Sequence, residues 1–161
     1  MGVAIEGKSK IVSATPTLDT NIYASGDRVG TVMEFSNAMD DSSGTGTIVS
    51  VTVLDKAGQG SALSLLLFND LPTVASADNA AIDISDAEMA KCVGVIPIAS
   101  GDYVTTASNS IATVRGVNLL VQSAKSANSL TGKSLFGVLK SGGTPTYAAS
   151  SLVVSLCIKQ D

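Results

Sequence analysis

The chain has 161 residues, of which 45% are hydrophobic and 15% charged, with a formal net charge of −4. That is one domain's worth of chain, too apolar and too weakly charged for intrinsic disorder, and without an apolar run near the ~18 residues of a membrane span. It has no His, so it lacks the side chain that titrates near neutrality and the commonest ligand of zinc, copper and haem iron.

Val, Ile and Thr together number 41, and there are 15 Gly. Beta-branched residues suit a pleated, half-buried surface, and Gly supplies turns. Short apolar segments separated by Gly, Asn, Asp, Ser or Pro read as an all-β sandwich or barrel. The first ~26 residues are polar and weakly periodic. MGVAIEGKSK lacks the apolar core of a signal peptide, and the scattered anchors Val3, Ile5, Ile11, Val12, Leu18 and Ile22 predict an extended arm that packs on another surface. The sandwich is expected over 27–161.

Within that frame the pattern predicts strands at Ile11–Ala14, Arg28–Ser36, Thr47–Asp55, Leu63–Asn69, Val93–Ile98, Ser110–Val114, Asn118–Ser123, Ser134–Lys140 and Leu152–Lys159. Alternation puts Val29, Thr31, Met33 and Phe35 on one face, and likewise Val49, Val51 and Val53, with Ser50 and Thr52 opposite. Leu152, Val154, Leu156 and Ile158 share a face of the last strand. Ser85-Asp86-Ala87-Glu88 fits a capping box and predicts one short helix over 85–91. The segments 69–81 and 40–46 read as loops.

Chemistry-bearing motifs are sparse. Cys92 and Cys157 lie among apolar neighbours and are expected as buried free thiols, since a nucleophilic Cys wants a base. Asp78, Asp83, Asp86 and Glu88 lie close in sequence but lack the spacing of a calcium loop. There is no Gly-x-Ser-x-Gly elbow and no phosphate-binding loop. The expectation is therefore no enzymatic activity, no cofactor and no metal. The acidic balance argues against a nucleic-acid ligand, which wants a basic stripe. Charge is uneven along the chain: residues 19–102 hold twelve acids and three bases, while residues 103–161 hold five bases and one acid. Either the strands interleave and mix the charges, or two faces of opposite sign result.

Leu65-Leu66-Leu67-Phe68-Asn69, Pro72-Thr73, Asp78-Asn79-Ala80-Ala81, the stretch 85–91 and Val93-Gly94-Val95 form one block. Gly143-Thr144-Pro145-Thr146-Tyr147 with Leu152-Val153-Val154 forms a second. The ordered pair resembles small virion proteins of tailed bacteriophages, among them capsid decoration (cement) proteins. The resemblance covers about residues 63–161 and consists of turn and strand signals. It implies a jelly-roll-like antiparallel β-sandwich that associates with itself, as a homotrimer, and with the major capsid protein. Its place is the outer capsid surface of the virion, after assembly in the bacterial host cytoplasm, with no membrane involved. Val3, Ile5, Ile11, Val12 and Ile22 are then the candidate capsid contacts. The alternative is a host-surface or glycan-binding module of a phage particle.

Overall fold

The computed structural model describes residues 7–160. Val3 and Ile5 lie outside the described residues. The described residues form nine strands: β1 (Ser9–Ala14), β2 (Arg28–Phe35), β3 (Thr45–Asp55), β4 (Leu63–Phe68), β5 (Cys92–Ile98), β6 (Tyr103–Thr105), β7 (Ser110–Gln122), β8 (Leu135–Ser141) and β9 (Leu152–Gln160). One helical turn, α1 (Asp86–Met89), precedes β5. All pairings are antiparallel.

The strands make two sheets, in the orders β1-β9-β3-β7-β6 and β2-β8-β4-β5. Without β6, each sheet has four strands, and successive strands of the chain cross repeatedly between the sheets. This is the jelly-roll arrangement of two interlocked Greek keys. The inward residues of both sheets form the core: Val51 and Val53 of β3, Val154, Leu156 and Ile158 of β9, and Phe35, Leu65 and Leu139 of the facing sheet are fully buried. The expected jelly-roll-like sandwich is the fold observed.

The four-stranded sheet is covered on its second face as well. Leu66, Phe68, Phe136 and Val138 point away from the main core and are buried under Leu71, Val74, Ile82, Ile84 and Met89. The segment 69–91 therefore forms a third layer. This explains the run Leu65–Phe68, since a strand buried on both faces needs no alternation.

Several expectations change in detail. The segment expected as an arm is extended from residue 7 onward, but the surface it packs on is this chain's own sandwich. β1 pairs with β9 from Ser9↔Lys159 to Ala14↔Val154. Leu18 and Tyr23 belong to the main core. Residues 7–26 and 27–160 are thus one unit, with β1 as the first jelly-roll strand. Thr31 is exposed because β2 is irregular between Val29 and Met33. Gly30 there adopts φ +74°. Val49 is exposed and Ile48 is buried, because a bulge between Ile48 and Ser50 reverses the phase. The two expected strands 110–114 and 118–123 are one strand, with Gly116 and Asn118 at positive φ in the stretch left unpaired with β3 between Arg115 and Leu119. β6 was not expected. Ser85 does cap α1, accepting from the Glu88 N–H at 3.4 Å. Glu88 does not return the bond; its carboxylate accepts from Thr73 N at 2.7 Å and Lys91 Nζ at 2.8 Å.

Candidate docking face

The outer face of the five-stranded sheet carries no covering layer among the described residues. Its composition follows from strand alternation. Where β3, β7 and β9 send Val, Leu and Ile inward, the intervening positions are Ser, Thr and a second set of aliphatics. The register aligns them in rows across the sheet. One row is aliphatic: Val104↔Ile111, Ile111↔Leu54 and Leu54↔Val153. The next is a hydroxyl ladder: Thr113↔Thr52, Thr52↔Ser155 and Ser155↔Ser13, with the Ser13 and Ser155 hydroxyls 2.7 Å apart. The third runs Arg115, Ser50, Cys157, Ile11, and the fourth Leu120, Thr47, Lys159, Ser9.

Five of the eight large hydrophobic residues exposed among the described residues lie here: Ile11, Val49, Val104, Ile111 and Leu120. The charged strand residues of this face are Arg115 and Lys159, and it holds no carboxylate among the described residues. A broad face with a continuous aliphatic row and few charges is a candidate contact surface, since charged residues are depleted at interface cores and contiguous exposed apolar patches mark interaction sites.

Two concave regions lie elsewhere. A polar cleft of about 380 Å³ is lined by Lys8, the loop Asp40–Thr45 and Gln160. Lys10 Nζ donates to Asp40 Oδ1 at 2.6 Å and Lys133 Nζ to the Asp40 carbonyl at 2.6 Å. The Lys10 hydrogen bond holds the Asp40 carboxyl below its ordinary range, against a smaller opposing effect of burial. The Asp40 carboxylate and carbonyl at the cleft wall are thus already engaged by the chain's own lysines. An apolar groove of about 240 Å³ lies between Leu66, Ile82, Ile84, Met89 and Lys140.

The remaining sequence candidates are structural. Asp78 Oδ1 accepts from Tyr23 Oη at 2.9 Å and Gly30 N at 2.6 Å, and Oδ2 from Asp19 N at 2.6 Å. One carboxylate thereby ties the 18–23 segment and β2 together. Burial, then the Asp78 hydrogen bond, pushes the Tyr23 hydroxyl pKa upward. Asp78, Asp83, Asp86 and Glu88 do not converge; no group of three or more His, Cys, Asp or Glu able to hold a metal occurs among the described residues. Cys92 and Cys157 are free, but both are half-exposed rather than buried. Cys157 faces outward between Ile11 and Ser50, an orientation set by its odd position in β9. Of the contact candidates, Ile11 is 72% exposed on the open face and Ile22 is 64% exposed. Ile22 makes a lone bridge to Thr146. Val12 points inward against the core. The structure does not bring these three into one patch. Leu54, Ile111, Val104 and Val153 were missed as a group. The signal was present as aliphatic residues at the outward phase of otherwise Ser/Thr positions, but only cross-strand register aligns them.

The fold is that of a single jelly-roll β-sandwich, with the outer face of one sheet covered and that of the other without a cover among the described residues. No protein family and no curated protein matches the chain. Among solved structures, a chain from desmodium yellow mottle tymovirus is similar at 10% identity and a TM-score of 0.29, over 99% of this chain and 84% of that one. The strand order, not that likeness, identifies the jelly roll here. No helix among the described residues is long and apolar enough to cross a membrane.

Proposed function

We propose that this chain is a non-enzymatic virion structural protein that decorates and stabilises the outside of a tailed-phage capsid by bridging capsomers. The major capsid protein and further copies of the chain, as a trimer, are its partners in this reading. The observation that carries it is the bare five-stranded face with its aliphatic row Val104–Ile111–Leu54–Val153. The jelly roll is an architecture of viral capsid and lectin domains, and the resemblance in the sequence favours the first. All six aromatic residues support that choice over glycan binding. Phe35, Phe68, Phe136, Tyr23 and Tyr147 are buried and Tyr103 is half-buried, so none offers an open ring for stacking on a sugar.

The test adds purified protein to phage heads that lack it and measures binding and survival on heating. The intact chain is expected to bind in many copies and to raise the temperature of head disruption. Leu54→Asp with Ile111→Asp is expected to stay folded and to lose binding. Equal binding by that variant would remove the open face from the reading. Absence of binding by the intact chain would overturn the decoration role and favour the host-surface or glycan-binding alternative.

A further inference from the structure

The two sheets have four edges: β1 and β6, β2 and β5. An unpaired edge is a template for another strand, and soluble proteins block it. Three of these edges are blocked. The β2 edge is capped by loops, through Thr31 N to Thr17 O at 3.0 Å, Arg28 N to Ala80 O at 2.8 Å and Asn79 N to Arg28 O at 3.0 Å. β5 carries Pro97, which has no N–H to give. β6 is three residues long.

β1 is different. It has six residues, no proline and an unshifted register against β9. Gln160 N donates to Lys8 O at 2.7 Å, which makes 8 and 160 a hydrogen-bonded pair. Pair types alternate along an antiparallel ladder. Lys10, Val12 and Ala14 therefore bond to β9, and Ser9, Ile11 and Ser13 turn their N–H and C=O groups to the free edge. The short Ser13–Ser155 hydroxyl contact agrees, since side chains approach closest at non-hydrogen-bonded pairs. No other described residue bonds to those three N–H and three C=O groups.

We propose that β1 is the contact strand of a symmetric dimer, pairing antiparallel with β1 of a second copy about a two-fold axis at Ile11. An isologous contact must be self-complementary, and this strand is. On the open face its side chains read Ser9, Ile11, Ser13. The two-fold sets Ile11 against Ile11 and each Ser9 against the partner's Ser13. All three free pairs become hydrogen-bonded pairs.

Charge does not oppose the contact. A lysine on an edge strand normally guards it, but Lys10 is engaged by its own Asp40 at 2.6 Å and by the Asn37 carbonyl at 2.9 Å. Lys8 falls opposite the partner's Ala14, away from its own symmetry mate. The edge is about 20 Å long at ~3.4 Å per residue. Such a strip buries less than the ~800 Å² per partner of a standard interface. The dimer is therefore weak in solution and grows with concentration. Its two open faces continue into one ten-stranded sheet, which leaves the Leu54 row free. The dimer does not depend on the virion reading: the trimer of that reading is an association on the capsid, whereas the β1 pair is a two-fold contact between free chains.

Sedimentation of the full chain up to millimolar concentration tests it, and a concentration-dependent dimer is expected. Ile11→Pro removes an N–H that the fold itself does not use, so its melting curve should match the parent while dimerisation weakens about tenfold or more. A second measurement fixes the register even if that variant misfolds. In a Cys92→Ser, Cys157→Ser background, Ser9→Cys and Ser13→Cys proteins are oxidised separately and mixed. Hydrogen-bonded pairs hold Cα atoms ~5.5 Å apart, within disulfide range, so the mixture should cross-link and neither variant alone should. A monomer at every concentration, a folded Ile11→Pro protein that dimerises as the parent does, or cross-linking without the Ser9–Ser13 preference would overturn the proposal.

Discussion

Tyr23 and Tyr147 pack against each other in the core in a tilted arrangement, with ring centres 5.8 Å apart and planes 55° apart, yet their hydroxyls differ. The Tyr23 hydroxyl bonds to Asp78 and to Asp19 N, while that of Tyr147 is buried without a partner among the described residues. Removing a hydrogen bond to a charged group costs roughly 1.5–3 kcal/mol, whereas deleting an unpartnered buried hydroxyl is close to neutral or stabilising. Tyr23→Phe is therefore expected to lower the denaturant midpoint clearly and Tyr147→Phe to leave it or raise it. Gly30 belongs to the same knot. A Cβ there would lie 2.8 Å from Leu18 Cδ2 and from Pro16 Cβ, at φ +74°. Gly30→Ala should cost on the order of 1–3 kcal/mol, read by urea unfolding. Asp40 has a pH signature. Its carboxyl titrates below its ordinary value in the folded state because of Lys10. Its contribution is present above that ordinary value and is lost as pH falls through the lowered one. Asp40→Asn should thus destabilise at neutral pH, and the difference from the parent should vanish in acid.

At the scale of elements, α1 is a single turn held at its start by Ser85. Ser85→Ala should cost about 1 kcal/mol. Hydrogen exchange is expected to show the loss locally, in the 69–91 layer rather than in the sheets. That layer illustrates what a sequence of this kind reveals. Strands and their alternation were legible because β-branched residues and turn signals are local, and the Leu65–Phe68 run stood out for the same reason. The cover over Leu66 and Phe136 was not legible, because Val74, Ile82 and Ile84 sit in a segment without periodicity and gain meaning only from the sheet beneath. Bulges were equally hidden. Nothing local distinguishes Val49 from Val51, and the phase reversal at Ile48–Ser50 is imposed by two neighbouring strands at once. The docking face shares this limit, since Leu54, Ile111, Val104 and Val153 come from four strands. Charge shows both expected outcomes together. Strands from the acidic and basic stretches interleave, as in β9-β3-β7. Yet the covering segment 69–91 carries Asp70, Asp78, Asp83, Asp86 and Glu88, while the bare face carries Arg115 and Lys159.

For the whole molecule, the question is whether the first residues are an appendage or part of the fold. A polar, weakly periodic start looks like an arm because an edge strand needs apolar residues on one side only, and Val12 and Ala14 are the ones that β1 supplies. Deleting 1–26 would strip β1 from β9 and expose the backbone of the next strand. It would take Leu18 and Tyr23 from the core, each fully or nearly buried, at roughly 1.5–3 kcal/mol for a fully buried large side chain. It would also leave Asp78 without its partners in the 18–23 segment. Against the roughly 5–15 kcal/mol net stability of a typical domain, such losses are a large fraction. The 27–161 chain is therefore expected to lose its cooperative unfolding transition and to aggregate through the uncovered β9 edge. A chain beginning at residue 7 keeps every contact described above and serves as the reference. Calorimetry of the two truncations separates the cases. If 27–161 melts cooperatively at the parent temperature, β1 and the 15–26 segment are appended rather than integral. If it does not, any loss of particle binding by that truncation reports on folding, and the capsid contacts must be mapped with face variants of the intact chain.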